Sequence, residues 1–311
     1  MVLFIIFSCK NDSDTKVDVS NIKVDYKIKR YEVDFYNANK NSLKKIKKEY
    51  PFLFPKSFTD SIALAKIKDN DEQELFKETQ KEFSNFSLIE AEITSLFKHI
   101  KYYNPKFNAP NVVTITTNID YDSRVIYADS LLLVSIDNYL GSQHKFYRDY
   151  PKYIKVNNTK ERLVVDIAQE IIEQQISPLT KRDFISKIIH EGKKMYALDL
   201  YLQNVPNEIK IGYLKNKLNW AKSNEEEIWS YFIEKEYLFS TDTKLNKRFI
   251  ENAPFSKFYL AQDNLSPGRI GVWLGWQIVK SFMKNNNVSL QELFLINESE
   301  IFKKSKYKPK K

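Results

Sequence analysis

Ser266-Pro267-Gly268-Arg269-Ile270-Gly271-Val272-Trp273-Leu274-Gly275-Trp276-Gln277-Ile278-Val279 holds three of the six glycines of this 311-residue chain. Beyond Arg269 the stretch is apolar on nearly every helical face. It therefore predicts a central, buried helix over 268–284, with Ser266-Pro267 as its start signal. Gly271 and Gly275 are four apart and share a face. A glycine inside a helix costs about 1 kcal/mol relative to alanine, so the pair implies a second helix packed closely there. Arg269, in the first turn of a buried helix, needs an anionic partner, and Glu191 or Glu170 would serve.

Working outward, the 181–203 segment is helical, with Phe184, Ile188, Met195 and Leu202 on one face. Glu191 falls in the middle of that stripe and Asp199 close to it. A carboxylate on a buried face must be paired, or must shift its pKa. Gly192 removes a side chain beside Glu191 and allows another backbone to approach. In the 160–175 helix, Leu163, Val164, Ile167, Ala168, Ile171 and Ile172 form the apolar stripe, and Asp166, Gln169, Glu170 and Glu173 lie opposite. The ordinary reading of that polar side is a solvated face.

Helical spacing recurs over 59–69, 71–83, 87–103, 210–222, 224–239, 242–250 and 290–303, with capping boxes at Ser87/Glu90, Ser223/Glu226 and Ser289/Glu292. The alternation in 24–36 predicts one or two strands with a bulge near Arg30. The runs 112–119, 124–128 and 131–136 predict a three-stranded meander. No internal repeat or long linker divides the chain. The expected fold class is α+β, mostly helical with a small sheet in the N-terminal half, forming one domain over 23–302.

Composition narrows function mainly by exclusion. A single cysteine excludes an internal disulfide and any multi-thiolate zinc site. No phosphate-cradling glycine motif, nucleophile elbow or metal-spaced histidine pair occurs. His190-Glu191 opens like H-E-x-x-H, but Lys194 stands where the second histidine belongs. No cofactor is expected. The net charge is +9, yet the six lysines within 301–311 supply +6 of it. A near-neutral body with a basic tail at 303–311 lacks the footprint of a nucleic-acid groove.

No run of 18 apolar residues is present, so no membrane-spanning helix is expected. The chain opens on Met1-Val2-Leu3-Phe4-Ile5-Ile6-Phe7-Ser8-Cys9, followed at once by polar sequence. Residues 1–9 read as the end of a lipoprotein signal whose first residues are absent, with Ile6-Phe7-Ser8-Cys9 as the lipobox and Cys9 as the lipidated residue. Residues 10–22 read as a flexible tether.

The chain resembles the GldB family of gliding-motility lipoproteins of Bacteroidetes. The resemblance rests on Tyr50-Pro51-Phe52-Leu53-Phe54-Pro55, on 96–103, 125–133 and 137–141, on Glu191-Gly192-Lys193, on 224–229 and 254–259, and on 266–279 and 301–310. It implies a lipid-anchored protein of the cell envelope, at the periplasmic face of the outer membrane. Its partners would be the membrane and the gliding and secretion machinery, not nucleic acid. That family is in turn similar to predicted zincin-like proteases. This similarity implies a mixed sheet, a metal helix over 160–175 and a third ligand at Glu191. The H-E-x-x-H motif would fall on Gln169-Glu170-Ile171-Ile172-Glu173, which lacks both histidines. The resemblance thus implies a degenerate, non-catalytic cleft of Gln169, Glu170, Glu173, Glu191 and Arg269. The alternative is a peptidase with Glu170 as general base.

Overall fold

A computed structural model describes residues 16–128 and 130–311. Its α+β architecture sets a four-stranded sheet in the N-terminal half against helices that dominate the remainder. The strands are β1 (Ile28–Arg30), β2 (Asn111–Ile115), β3 (Val125–Ala128) and β4 (Leu131–Ser135), in the order β1-β2-β4-β3.

The sheet is not a meander. β2 pairs in parallel with both β1 and β4, and only β3–β4 is antiparallel. The strand sequences explain the order. In β2, Val112, Val113, Thr114 and Ile115 are all buried, and in β4 Leu132, Val134 and Ser135 are buried. Such nearly continuous runs suit central strands covered on both faces. β3 alternates buried with exposed positions and takes the edge. The alternation over 24–36 was also misleading. Only three residues form a strand, and Tyr31–Tyr36 turns into a helix. Phe35 and Tyr36 are adjacent and both buried, in a satellite core with Leu43, Ala63, Ile67 and Phe76.

The helices Ser87–Tyr103, Lys160–Glu173, Phe184–Tyr201 and Ile270–Asn285 lie close to the positions expected from periodicity. Two expected helices are broken. Gly212, at φ +76°, separates Asn207–Ile211 from Lys215–Ser223, and the Asn297 cap separates Leu290–Leu295 from Glu298–Lys304. The Ser289/Glu292 capping box forms. Ser87 instead lies inside its helix, and Asn224 rather than Ser223 caps the next one. Pro267 precedes the buried helix rather than starting it, because that helix begins at Ile270.

The centre of the core is the crossing of the 184–201 and 270–285 helices. Ile270, Val272, Trp273, Leu274, Trp276, Ile278 and Val279 are buried around it. Gly192 meets the backbone of Gly275, and Gly275 meets the carbonyl of Ile188. The expectation drawn from the glycine spacing and from Gly192 is thereby met, and the crossing fixes Glu191 and Arg269 relative to one another.

Both ends of the described chain are packed. Lys16 Nζ donates to Asn204 Oδ1 at 2.6 Å and the Val17 amide to Gln203 Oε1 at 3.0 Å, so the expected tether is docked from residue 16 onward. The rest of that tether, the lipobox and Cys9 lie outside the described residues. At the other end Tyr307 donates to Glu225 and packs edge-on against Trp229, while the tail lysines stay exposed.

Candidate functional site

The 160–173 helix buries Leu163, Val164, Val165, Ile167, Ala168, Ile171 and Ile172 in the core. Its other side was expected to face solvent. It does not, because β3 and the 207–211 helix pack near it and cover the first two turns. Arg162 and Asp166 are buried, Gln169 and Glu170 are half-buried, and Glu173 is exposed.

The covered part is a charged floor. Asp166 Oδ1 receives Arg162 Nε at 2.7 Å, and its Oδ2 faces Arg124 Nε at 3.2 Å. Tyr139 donates its hydroxyl to the same Oδ2 at 3.0 Å. Arg162 extends the network to the carbonyls of Ile209 (2.6 Å) and Lys210 (2.9 Å), and to Gln169 Oε1 (2.9 Å). Arg124 reaches the Asn157 carbonyl at 2.6 Å and lies over the Tyr139 ring. Burial opposes the Arg124 charge most strongly, but Asp166 together with Tyr139 and Tyr121 outweighs it and holds the guanidinium's pKa above its usual range. The Tyr139 hydroxyl is driven upward by burial and then by Asp166.

Above this floor opens a cavity of about 640 Å³, walled by Arg124, Arg162, Asp166, Gln169, Glu170, Glu191 and Arg269, together with Tyr121, Asp122, Asn157 and the 250–252 segment. Four of the five residues singled out from sequence therefore share one cavity: Gln169, Glu170, Glu191 and Arg269. Glu173 lies outside it and pairs with Lys194 at 2.7 Å.

The expected partnership of Arg269 with Glu191 or Glu170 is not formed. Glu191 pairs with Lys194, one turn along its own helix, at 2.9 Å. Arg269 donates through Nη1 to the Ile211 carbonyl at 3.2 Å. It also sits before the first turn rather than within it, at φ +59°. Glu170 makes no hydrogen bond or ion pair among the described residues. Its pKa is pushed up by desolvation first, then by Glu173 and Asp166. Asp199, also flagged in the sequence, is a structural carboxylate receiving Lys210, Lys280 and the Trp276 indole.

Arg124 and Arg162 escaped the sequence reading, and Asp166 was placed on a solvated face rather than in the site. Arg162 and Asp166 are spaced i,i+4, a visible pairing signal. Arg124 carries none, since it reaches the helix only through the sheet.

One wall is tied to a titrating group. Asp137 is fully buried and accepts the Thr117 and Ile119 amides at 2.9 and 2.8 Å. It thereby holds a turn in which Asn118 and Ile119 both have positive φ, just before Tyr121 and Asp122. Desolvation, partly offset by those amides, raises its pKa from 3.8 to about 6. The fold thus favours the protonated form, so its stabilising contribution is complete below pH ~4 and is lost as pH rises through ~6. Relative to Asp137→Asn, the wild-type protein should lose about 2 kcal/mol of unfolding free energy between pH 4 and 7. Parallel stability–pH curves from urea titrations would contradict this assignment.

The residues present do not fit zinc. Gln169 is occupied by Arg162, while Glu173 and Glu191 share Lys194. Among the described residues, no three His, Cys, Asp or Glu side chains stand where they could hold one metal ion.

A family match extends over residues 12–309, taking in the whole cavity and the glycine crossing beneath it. The chain belongs to the family of gliding motility protein GldB. No curated protein and no solved structure matches it. Membership in the GldB family makes the chain a gliding motility protein. No helix among the described residues is long and apolar enough to cross a membrane.

Proposed function

We propose that this GldB-family protein works at the cell envelope as a lipid-anchored, non-catalytic component of the gliding apparatus and its associated secretion machinery. The observation that carries the non-catalytic reading is the state of the 160–173 helix. The positions that a zincin-like enzyme would use for metal are engaged in internal ion pairs and hydrogen bonds with Arg162 and Lys194. A general base at Glu170 would have no metal-bound water to act on. Purified protein supplied with zinc should hold less than stoichiometric metal and cleave no peptide. One zinc per chain, with peptidase activity that a chelator removes, would establish the peptidase alternative instead.

The anchor reading rests on the Ile6-Phe7-Ser8-Cys9 lipobox and on membership in this family. Six residues lie between Cys9 and Lys16, making seven residue-to-residue steps. Fully extended, they reach at most about 25 Å. A lipid on Cys9 would therefore hold the Gln203–Asn204 surface, where Lys16 and Val17 dock, within that distance of the bilayer. In cells expressing the protein with a full signal, Cys9→Ser should move it from the membrane to the soluble fraction. Retention in washed membranes would remove the anchor from the proposal.

A further inference from the structure

Beside the polar cavity lies a second one of about 500 Å³, and the two share Asn157, Asn252 and Arg269 as common wall. We propose that they form one groove for an extended polypeptide segment, with a lysine or arginine side chain in the polar chamber and an apolar side chain in the other. The inference deepens the non-catalytic reading of the same cleft and rests on it.

The chambers differ in chemistry. The second is lined by Val156, Ile211, Tyr213, Leu214, Pro254 and Pro267, an apolar wall suited to an aliphatic or aromatic side chain. The first presents Asp122, Glu170 and Glu251, none of which has a side-chain cation partner among the described residues. Its arginines Arg124 and Arg162 are already bound to Asp166 and to carbonyls. Even with Arg269 counted, whose guanidinium has no carboxylate partner among the described residues, the net charge left unanswered there is negative, and a desolvated carboxylate such as Glu170 gains most from an incoming cation.

The shared wall suits a backbone. The carboxamides of Asn157 and Asn252 make no hydrogen bond among the described residues, and each carries both donor and acceptor, as passing peptide groups require. Arg269 stands between the chambers in the left-handed region, which a non-glycine residue occupies at a cost of order 1 kcal/mol. Its guanidinium makes a single hydrogen bond among the described residues, leaving donors for a peptide carbonyl. Each volume is within the usual range for a ligand cavity. A polyamine would use only the polar chamber and an acyl chain only the apolar one; a peptide with adjacent basic and apolar residues uses both.

The probes are two acetylated, amidated tetrapeptides, alanine-lysine-leucine-alanine and alanine-leucine-lysine-alanine, which present the pair in both directions. They are titrated into the full chain, with hydrogen exchange and peptide integrity followed by mass spectrometry. At least one should bind at roughly millimolar concentration or better and slow exchange over 121–125, 250–254 and 266–270. Glutamate in place of the lysine should weaken binding at least about tenfold, and so should Glu251→Lys. Arg269→Gly should also lose about tenfold while melting within about 3 °C of wild type, because glycine suits the backbone there. No protection from either peptide, or equal binding by spermidine or lysine amide, would overturn the groove and leave the non-catalytic reading standing. Binding followed by cleavage would support the groove and overturn the non-catalytic reading.

Discussion

Gly275→Ala should abolish stable folding. A Cβ at that position would lie 1.7 Å from the Ile188 carbonyl oxygen and 2.4 Å from its carbon. Both atoms belong to the backbone of a buried helix, so no rotamer change relieves the overlap. Alanine's better helix propensity is worth only about 1 kcal/mol in its favour. Ordinary overpacking of a core costs about 1–3 kcal/mol where side chains can give way. Here the helices must separate, opening gaps around Trp273 and Trp276, both 1% exposed. The expected destabilisation is roughly 4 kcal/mol or more. Gly192→Ala, whose Cβ would lie 2.3 Å from the Gly275 carbonyl group, should behave similarly. Urea unfolding of the purified variants measures this. Stability within about 1 kcal/mol of wild type would mean that the helices do not cross so closely.

The second large effect is expected at Asp166. Its carboxylate is the counter-charge for two guanidinium groups whose side chains are 10% and 8% exposed, those of Arg124 and Arg162. Asp166→Ala leaves both buried and uncompensated, and breaking such a group by removing one partner costs about 3–5 kcal/mol. The Tyr139 hydroxyl loses its acceptor as well. Introducing Arg124→Met into the Asp166→Ala background should recover part of the loss, because one stranded charge is then absent. A double-mutant cycle by chemical denaturation gives the coupling directly. Additive effects, or an Asp166→Ala variant within about 1 kcal/mol of wild type, would show that the floor is not held by this carboxylate.

These two sites also mark how far the sequence can be read. The glycine crossing was legible because glycine in an apolar helix has no local advantage, so its spacing points outward to a neighbour. The arginine floor was hidden because burial of the 160–173 polar side depends on β3 and Arg124, which are distant in sequence. Local periodicity saw Asp166 as solvated for that reason. For Glu191, the requirement that a half-buried carboxylate be paired was sound, but the partner was wrong. Lys194 is three residues away on the same helix and reaches it without help from the fold, whereas Arg269 begins beyond the helix start in a left-handed turn. In the sheet, the apolar runs of β2 and β4 identified strands but not their order. Insertion of β4 between β2 and β3 is a tertiary choice, visible only in how little the two central strands alternate. Glu191 and Arg269 converge because the glycine contacts seat their two segments, Gln169 and Glu170 join them because the 160–173 helix packs on the 184–201 helix, and Glu173 fell outside because it lies one turn too far along.

The most direct test of a non-catalytic cleft is motility in cells whose only copy of the protein carries Glu170→Gln. The substitution preserves shape and burial but removes any general base. A general base contributes about 10²–10⁴-fold to a rate, so an enzyme would lose nearly all of its function. With the variant folded and at wild-type level, gliding should persist, slowed at most by the roughly tenfold weaker peptide binding expected when the polar chamber loses one carboxylate. Loss of gliding to the level of cells lacking the protein, in a variant that still binds the tetrapeptide within about tenfold of wild type, would contradict the non-catalytic role and make Glu170 the catalytic base.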